Sequence, residues 1–227
     1  MEGILNLHKP AGISSAAAVG AVKRLLPRGT KIGHAGTLDP FATGVLLLLI
    51  GRATKQCEAL MDQPKQYETT VKLGATTATD DLDSPEVFQN VSTPPTAEQI
   101  ATALRGFVGH IQQQPPTYSA LKVGGQRAYE LARAGGAVAL PPRPVTVYGI
   151  EMIDYAWPLL RLRIDCGRGT YIRAIARDLG AALAVGGHLR QLCRTKIGPF
   201  TLDRALPLAT LTPGSVGAAL SDITVNY

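Results

Sequence analysis

The chain has 227 residues, of which 45% are hydrophobic and 18% charged, which excludes a globally disordered protein and leaves ample apolar surface for a core. The length suits one large domain, or one domain with a small appendage. The formal net charge of +6 is unevenly spread: residues 161–204 hold nine basic side chains (Arg161, Arg163, Arg168, Arg173, Arg177, Arg190, Arg194, Lys196 and Arg204) against Asp165, Asp178 and Asp203. A basic segment in an otherwise nearly neutral chain points to a polyanion, nucleic acid first, or to a solubilising face.

In chain order, Gly3–Leu7 reads as a short strand and Lys9-Pro-Ala-Gly12 as a turn. Ser14 or Ser15 can cap a helix carrying Val19, Val22 and Leu26 that runs to Pro27. Five Gly and Pro positions between 29 and 44 predict a loop. Val45–Ile50 follows as a buried strand and Ala53–Met61 as a helix. The six apolar residues of Val45–Ile50 fall far short of the ~20 needed to span a bilayer. Residues 66–73 alternate, so Tyr67, Thr69, Val71 and Leu73 share one face of a half-buried strand. Residues 75–95 read as a long polar loop. Thr96-Ala-Glu-Gln99 is a capping box opening a helix to about Phe107.

Residues 112–125 are irregular, and Arg127–Ala134 reads as a helix stopped by Gly135-Gly136. Val145–Ile153 and Leu159–Cys166 read as neighbouring strands. Tyr171–Ala184 is a helix with Ile172, Ile175, Leu179 and Leu183 on its apolar face, and Leu189–Ile197 a strand. Strands and helices mix without a regular βαβ alternation, which predicts an α+β domain with a mixed or mainly antiparallel sheet. Three widely spaced cysteines offer no disulfide framework and suit a reducing compartment. With no signal peptide, the reading is a cytoplasmic protein without a membrane segment.

Several chemistries are excluded by missing motifs. The sequence has no phosphate-binding P-loop, no G-x-G-x-x-G fingerprint and no G-x-S-x-G elbow. Its four histidines and three cysteines never fall in metal-ligand spacing. Two segments remain. Gly33–Gly44 packs His34 and Asp39 among glycines in a loop feeding a buried strand, and Pro40 restricts Asp39 to extended conformations. Asp-Pro is also an ordinary turn starter. Cys166–Arg173 brings two glycines to the start of a helix, a ready anion site. Arg173 stands in that helix's first turn, where the dipole disfavours a cation, so it calls for an anionic partner.

Gly33–Leu46 closely resembles the catalytic-aspartate motif of the TruB family of tRNA pseudouridine synthases. Gly3–Ser15, Ala53-Thr-Lys55, Lys65-Gln-Tyr67, Tyr118–Lys122, Arg143–Val147 and Gly169–Arg173 resemble further family blocks in the family's order. The resemblance implies the pseudouridine synthase fold, a mixed, mainly antiparallel sheet flanked by helices. It also implies isomerisation of uridine to pseudouridine at position 55 in the T-loop of tRNA, by base flipping, cleavage of the C1′–N1 bond and bonding to C5. No cofactor or metal is implied, and the expected partner is the T-arm of tRNA, bound by a monomer.

By position, Asp39 matches the essential aspartate and Tyr67 the tyrosine that stacks on the flipped base. Arg173 matches the arginine that pairs with the aspartate, and Tyr171, Ile172 and Leu192 match residues lining the uracil pocket. His34 matches a histidine inserted where the nucleotide left. Lys9 and Lys55 sit in matched blocks, with structural and phosphate-contacting roles both open. Arg190 and Arg194 are assigned more loosely to phosphate. Residues 1–204 are expected to form the catalytic domain and 205–227 a short C-terminal extension with no PUA domain.

Where the family has Thr-Asp-Thr, this chain reads Thr77-Ala78-Thr79-Asp80-Asp81, so a polar role at 78 is lost or has moved to Asp80. A non-catalytic tRNA-binding module would be expected to lose Asp39 or Arg173. An aspartate-nucleophile glycoside hydrolase would want a second carboxylate, and none lies in the matched motifs. Attack of Asp39 on C1′, addition to C6 and a glycal route all stay open.

Overall fold

A computed structural model describes residues 1–119, 122–123, 126–127 and 140–220. The chain divides into two compact units, one of residues 1–68 and 192–227 and one of residues 69–191. The helix read at Arg127–Ala134 lies almost wholly outside the described residues.

The first unit is built on β1 (Gly3–Lys9) and β3 (Thr43–Ile50), antiparallel along their whole length from Gly3 opposite Ile50 to Lys9 opposite Gly44. Seven of the eight β3 residues are buried, as its unbroken Gly-Val-Leu-Leu-Leu-Leu-Ile run demands of a strand covered on both faces. The other edge of β3 is shared. β2 (Ile32–Ala35) pairs antiparallel with Leu47–Ile50, and β12 (Gly187–Ile197) pairs parallel through Cys193 with Thr43 and Arg194 with Gly44. β12 is joined by β13 (Phe200–Thr201), and β1 is flanked in parallel by β14 (Leu206–Pro207). Val45, Leu47 and Leu49, two apart and so on one face, pack with Ile4, Ile197 and Phe200.

Helix α1 (Ser15–Lys23) starts where Ser14 accepts from the Ala17 amide at 3.0 Å, and it stops short of Pro27. The helix expected at Ala53–Met61 divides into a 3-10 stretch, Gly51–Gln56, and α2 (Cys57–Asp62). Residues 29–44, predicted as a loop throughout, include the strand β2. β2 was missed because it is four residues long and owes its existence to the β3 edge rather than to its own pattern.

The second unit holds the end of β4 (Lys65–Leu73), then β11 (Leu159–Cys166), β10 (Arg143–Ala156) and β7 (Gly109–Gln113) in that spatial order. β10 is antiparallel to both β11 and β7. Helix α3 (Ala97–Arg105) opens with the expected capping box of Thr96 and Gln99. Helix α4 (Ile172–Ala182) buries Ile172, Ile175 and Leu179. Two short pairs, β5 (Ala75–Thr76) with β6 (Val87–Phe88) and β8 (Lys122–Val123) with β9 (Gln126–Arg127), interrupt segments read as irregular. The last described helix is α5 (Pro213–Ala218). The architecture is the α+β class with a mixed, mainly antiparallel sheet. No helix among the described residues is long and apolar enough to cross a membrane.

Candidate active site

Asp39 lies half-buried in the seven-residue connection from β2 to β3. Every carbonyl from Gly36 to Pro40 is engaged. Gly36 O accepts from Arg194 Nη2 at 3.0 Å and Thr37 O from Arg194 Nη1 at 3.4 Å. Leu38 O accepts from Ser15 Oγ at 3.0 Å, and Ser15 Oγ in turn accepts from the Leu38 amide at 2.9 Å. Asp39 O accepts from the Ala42 amide at 3.1 Å, and Pro40 O from the Gly12 amide at 2.8 Å and Lys9 Nζ at 3.2 Å. The loop is therefore held like a secondary-structure element, which narrows the directions open to the Asp39 side chain.

Lys9 is fully buried and also donates to the carbonyls of Pro10 and Ile13, both at 2.8 Å. Burial pulls its pKa down to about 8; the nearby Asp39 carboxylate opposes that and the Arg194 cation adds to it. Of the two roles left open by the sequence, the geometry supports the structural one.

Arg194 is 1% exposed, which overturns its assignment to phosphate. Besides Gly36 and Thr37 it donates from Nε to Val45 O at 2.8 Å, and its Nη1 lies 3.5 Å from the Tyr67 hydroxyl, at the outer limit of a hydrogen bond. Tyr67, expected half-buried, is 8% exposed on β4. Leu192 is buried two residues before Arg194 on β12. His34 sits in β2, not in a loop, with its carbonyl accepting from Cys57 Sγ at 3.6 Å. Its pKa is lowered by burial first and by Arg194 second, which favours the neutral imidazole.

In the second unit, Tyr171 occupies the N-cap of α4 without a side-chain cap of its own. Its main chain is held instead by the nearly buried Gln113 amide, as a neighbouring strand would hold it: the Tyr171 amide donates to Gln113 Oε1 at 2.8 Å, and Gln113 Nε2 to Tyr171 O at 3.1 Å. The Arg143 guanidinium lies over the Tyr171 ring, 5.0 Å from its centre.

Arg173 has the anionic neighbour its position demanded. Asp81 Oδ2 is 3.3 Å from Nη1, both side chains are 4% exposed, and the carbonyls of Thr79 and Tyr118 each accept from the guanidinium at 2.8 Å. One turn on, Arg177 reaches Asp80 Oδ2 at 3.1 Å, Asp178 Oδ1 at 2.8 Å and Gln114 O at 2.8 Å. Position 80 has thus acquired a polar partner. Asp80 sits at φ +60°, and burial raises its pKa against the pull of Arg177 and Arg173. Ile172 is buried.

Of the nine basic residues in 161–204, Arg161, Arg168, Arg190, Lys196 and Arg204 are exposed, Arg163 pairs with Glu151 at 2.8 Å, Arg177 pairs with Asp80 and Asp178, and Arg173 and Arg194 are interior. Sequence reasoning missed Ser15, Asp81 and Gln113. Of these only Ser15 lies in a matched block.

The TruB family pseudouridylate synthase N-terminal domain matches residues 23–172, and the tRNA pseudouridylate synthase B C-terminal domain matches residues 173–216. A tRNA pseudouridine synthase B from Aromatoleum aromaticum is 46% identical over 93% of this chain and 68% of its own length. One from Corynebacterium efficiens is 46% identical over 92% and 72%, and one from Dehalococcoides mccartyi 43% identical over 98% and 74%. Among solved structures, a chain of a Cbf5-Nop10-Gar1 complex superposes with a TM-score of 0.71 at 30% identity, over 92% of this chain and 53% of that one. A chain of an H/ACA RNP bound to a substrate RNA containing 2′-deoxyuridine gives 0.68 at 27% identity over 92% and 52%, so this chain spans about half the length of those two. Two family domains in sequence over 23–216, together with curated relatives at 43–46% identity over most of the chain, place it in the TruB family of tRNA pseudouridine synthases, isomerases that convert uridine to pseudouridine in tRNA.

Proposed function

We propose that the uridine converted lies in the T-loop of the T-arm and that Asp39 is the essential carboxylate. The observation that carries this reading is the engagement of every carbonyl from Gly36 to Pro40, which pre-organises one carboxylate at the position matching the family's aspartate. In the isomerisation the C1′–N1 bond breaks, the uracil turns, and C1′ bonds to C5. The C5 proton leaves and N1 ends protonated, so no electrons are gained or lost and no co-substrate is consumed.

A base inside a folded loop is reached only by extrusion, which costs a few kcal/mol. Tyr67 supplies the ring on which the flipped base stacks, worth about 1–3 kcal/mol. The neutral imidazole of His34 fills the gap left in the RNA. The family match assigns Leu192, Tyr171 and Ile172 to the uracil, and Arg173 to the positive charge that favours the ionised carboxylate. The exposed arginines hold phosphate.

The test is incubation with an unmodified tRNA transcript followed by mapping of pseudouridine. Modification confined to the T-loop by the wild-type chain, and none by Asp39→Asn with tRNA affinity kept within about tenfold, is the expected result. Pseudouridine formed by Asp39→Asn, or formed at another site, overturns the corresponding half of the proposal.

A further inference from the structure

The second edge of β3 is interrupted. β2 covers it from Leu47 to Ile50 and β12 covers it at Thr43 and Gly44, so Val45 falls between the two partners. Arg194 enters at this point. Its main chain pairs with Gly44, its Nε caps Val45 O, and its two Nη atoms reach Gly36 O and Thr37 O on the strand-to-strand connection. Ser15, 2% exposed at the start of α1, takes the next residue, bonding both the amide and the carbonyl of Leu38. Three consecutive residues before Asp39 are thus fixed by two interior side chains.

A guanidinium taken out of water loses much of its hydration, and a well-packed apolar side chain would fill the same volume without that penalty. What an apolar side chain cannot do is present three donors in a fixed fork to three carbonyls on two segments.

Resting on the reading of Asp39 as the essential carboxylate, we infer that Arg194 and Ser15 are positioning residues for the isomerisation, which set the direction of Asp39 through the main chain of Gly36–Leu38 and touch neither uridine nor phosphate. A misplacement of about 1 Å at a reacting group costs on the order of 100-fold in rate. A lysine at 194 has one charged centre and cannot serve Val45 O, Gly36 O and Thr37 O together.

The experiment measures the single-turnover rate at saturating unmodified tRNA, the Kd at several salt concentrations, and thermal unfolding, for the full chain carrying Arg194→Lys or Ser15→Ala. The expected result for Arg194→Lys is a rate lower by about 10- to 100-fold with Kd and its salt dependence unchanged, and for Ser15→Ala a smaller fall of the same kind. If Arg194→Lys does not fold, Ser15→Ala, which removes one oxygen atom, decides alone. Wild-type rates in the folded variants, or losses confined to Kd with a flatter salt dependence, overturn the inference. Asp39→Asn run in parallel separates the two possible failures. Activity in Asp39→Asn removes the assignment of Asp39, whereas an inactive Asp39→Asn beside fully active Arg194→Lys and Ser15→Ala removes only the positioning.

Discussion

Gly44 and Arg194 meet main chain to main chain: a Cβ added at Gly44 would stand 2.2 Å from the Arg194 carbonyl oxygen. Gly44 also has φ +109°, outside the range L-residues readily adopt. The parallel register of β3 and β12, and with it the reach of the guanidinium to the Asp39 connection, requires glycine here. Gly44→Ala should therefore destabilise the protein by roughly 3 kcal/mol or more, adding backbone strain to overpacking. Urea unfolding measures it, and a midpoint equal to wild type would contradict the close approach.

Arg173 and Arg190 were both flagged by the same charge arithmetic, yet they should respond differently to mutation. Arg173 is interior and bonded to Asp81, so Arg173→Met should lower the rate at saturating tRNA. Arg190 is exposed, so Arg190→Ala should weaken binding and flatten its salt dependence by about one ion. Rates and affinities at three salt concentrations distinguish them. Equal behaviour of the two variants would undo the division.

Removing one member of the interior Arg173–Asp81 pair leaves the other charge buried, at a typical cost of about 3–5 kcal/mol. Asp81→Ala should fall in that range by chemical denaturation. A change below about 1 kcal/mol would mean that the carbonyls of Thr79 and Tyr118 alone suffice for the guanidinium.

Lys9 gives a pH signature. Its folded pKa is about 8, against an ordinary value of 10.5. Between those values the unfolded chain binds the proton and the folded chain does not, so this group makes the fold more stable as pH rises through the window. Lys9→Met should lose that rise. Comparing unfolding free energies of the two proteins near pH 7 and near pH 10 checks the sign, and parallel pH dependences would refute it.

Among the described residues no group of three His, Cys, Asp or Glu side chains could hold a metal ion. If the proposed T-arm substrate is correct, activity on a small T-arm stem-loop should survive excess EDTA. Loss on chelation, reversed by one specific divalent ion, would count against an isomerisation carried by side chains alone.

Much of this protein is local and so lies open in the sequence. The apolar run of β3, the Thr96–Gln99 box and the 3.6-residue face of α4 each declare their element within a dozen residues, because periodicity and capping act between near neighbours. The glycine-flanked Asp39 motif is contiguous and could be matched as a string. The demand of Arg173 for an anion followed from the helix dipole. Its supplier did not, since Asp81 is 92 positions earlier and only folding places it 3.3 Å away. β2 and β7 have too few residues to carry a pattern and are strands because β3 and β10 offer them an edge. Arg194 shows the limit most clearly. Charge counting weighs an exposed and an interior arginine alike, and nothing near position 194 announces that its donors will find carbonyls at 36, 37 and 45. Tertiary structure decides which cations face solvent and which are enclosed, because that depends on the strand that packs alongside, and here that strand, β3, lies about 150 residues earlier in the chain.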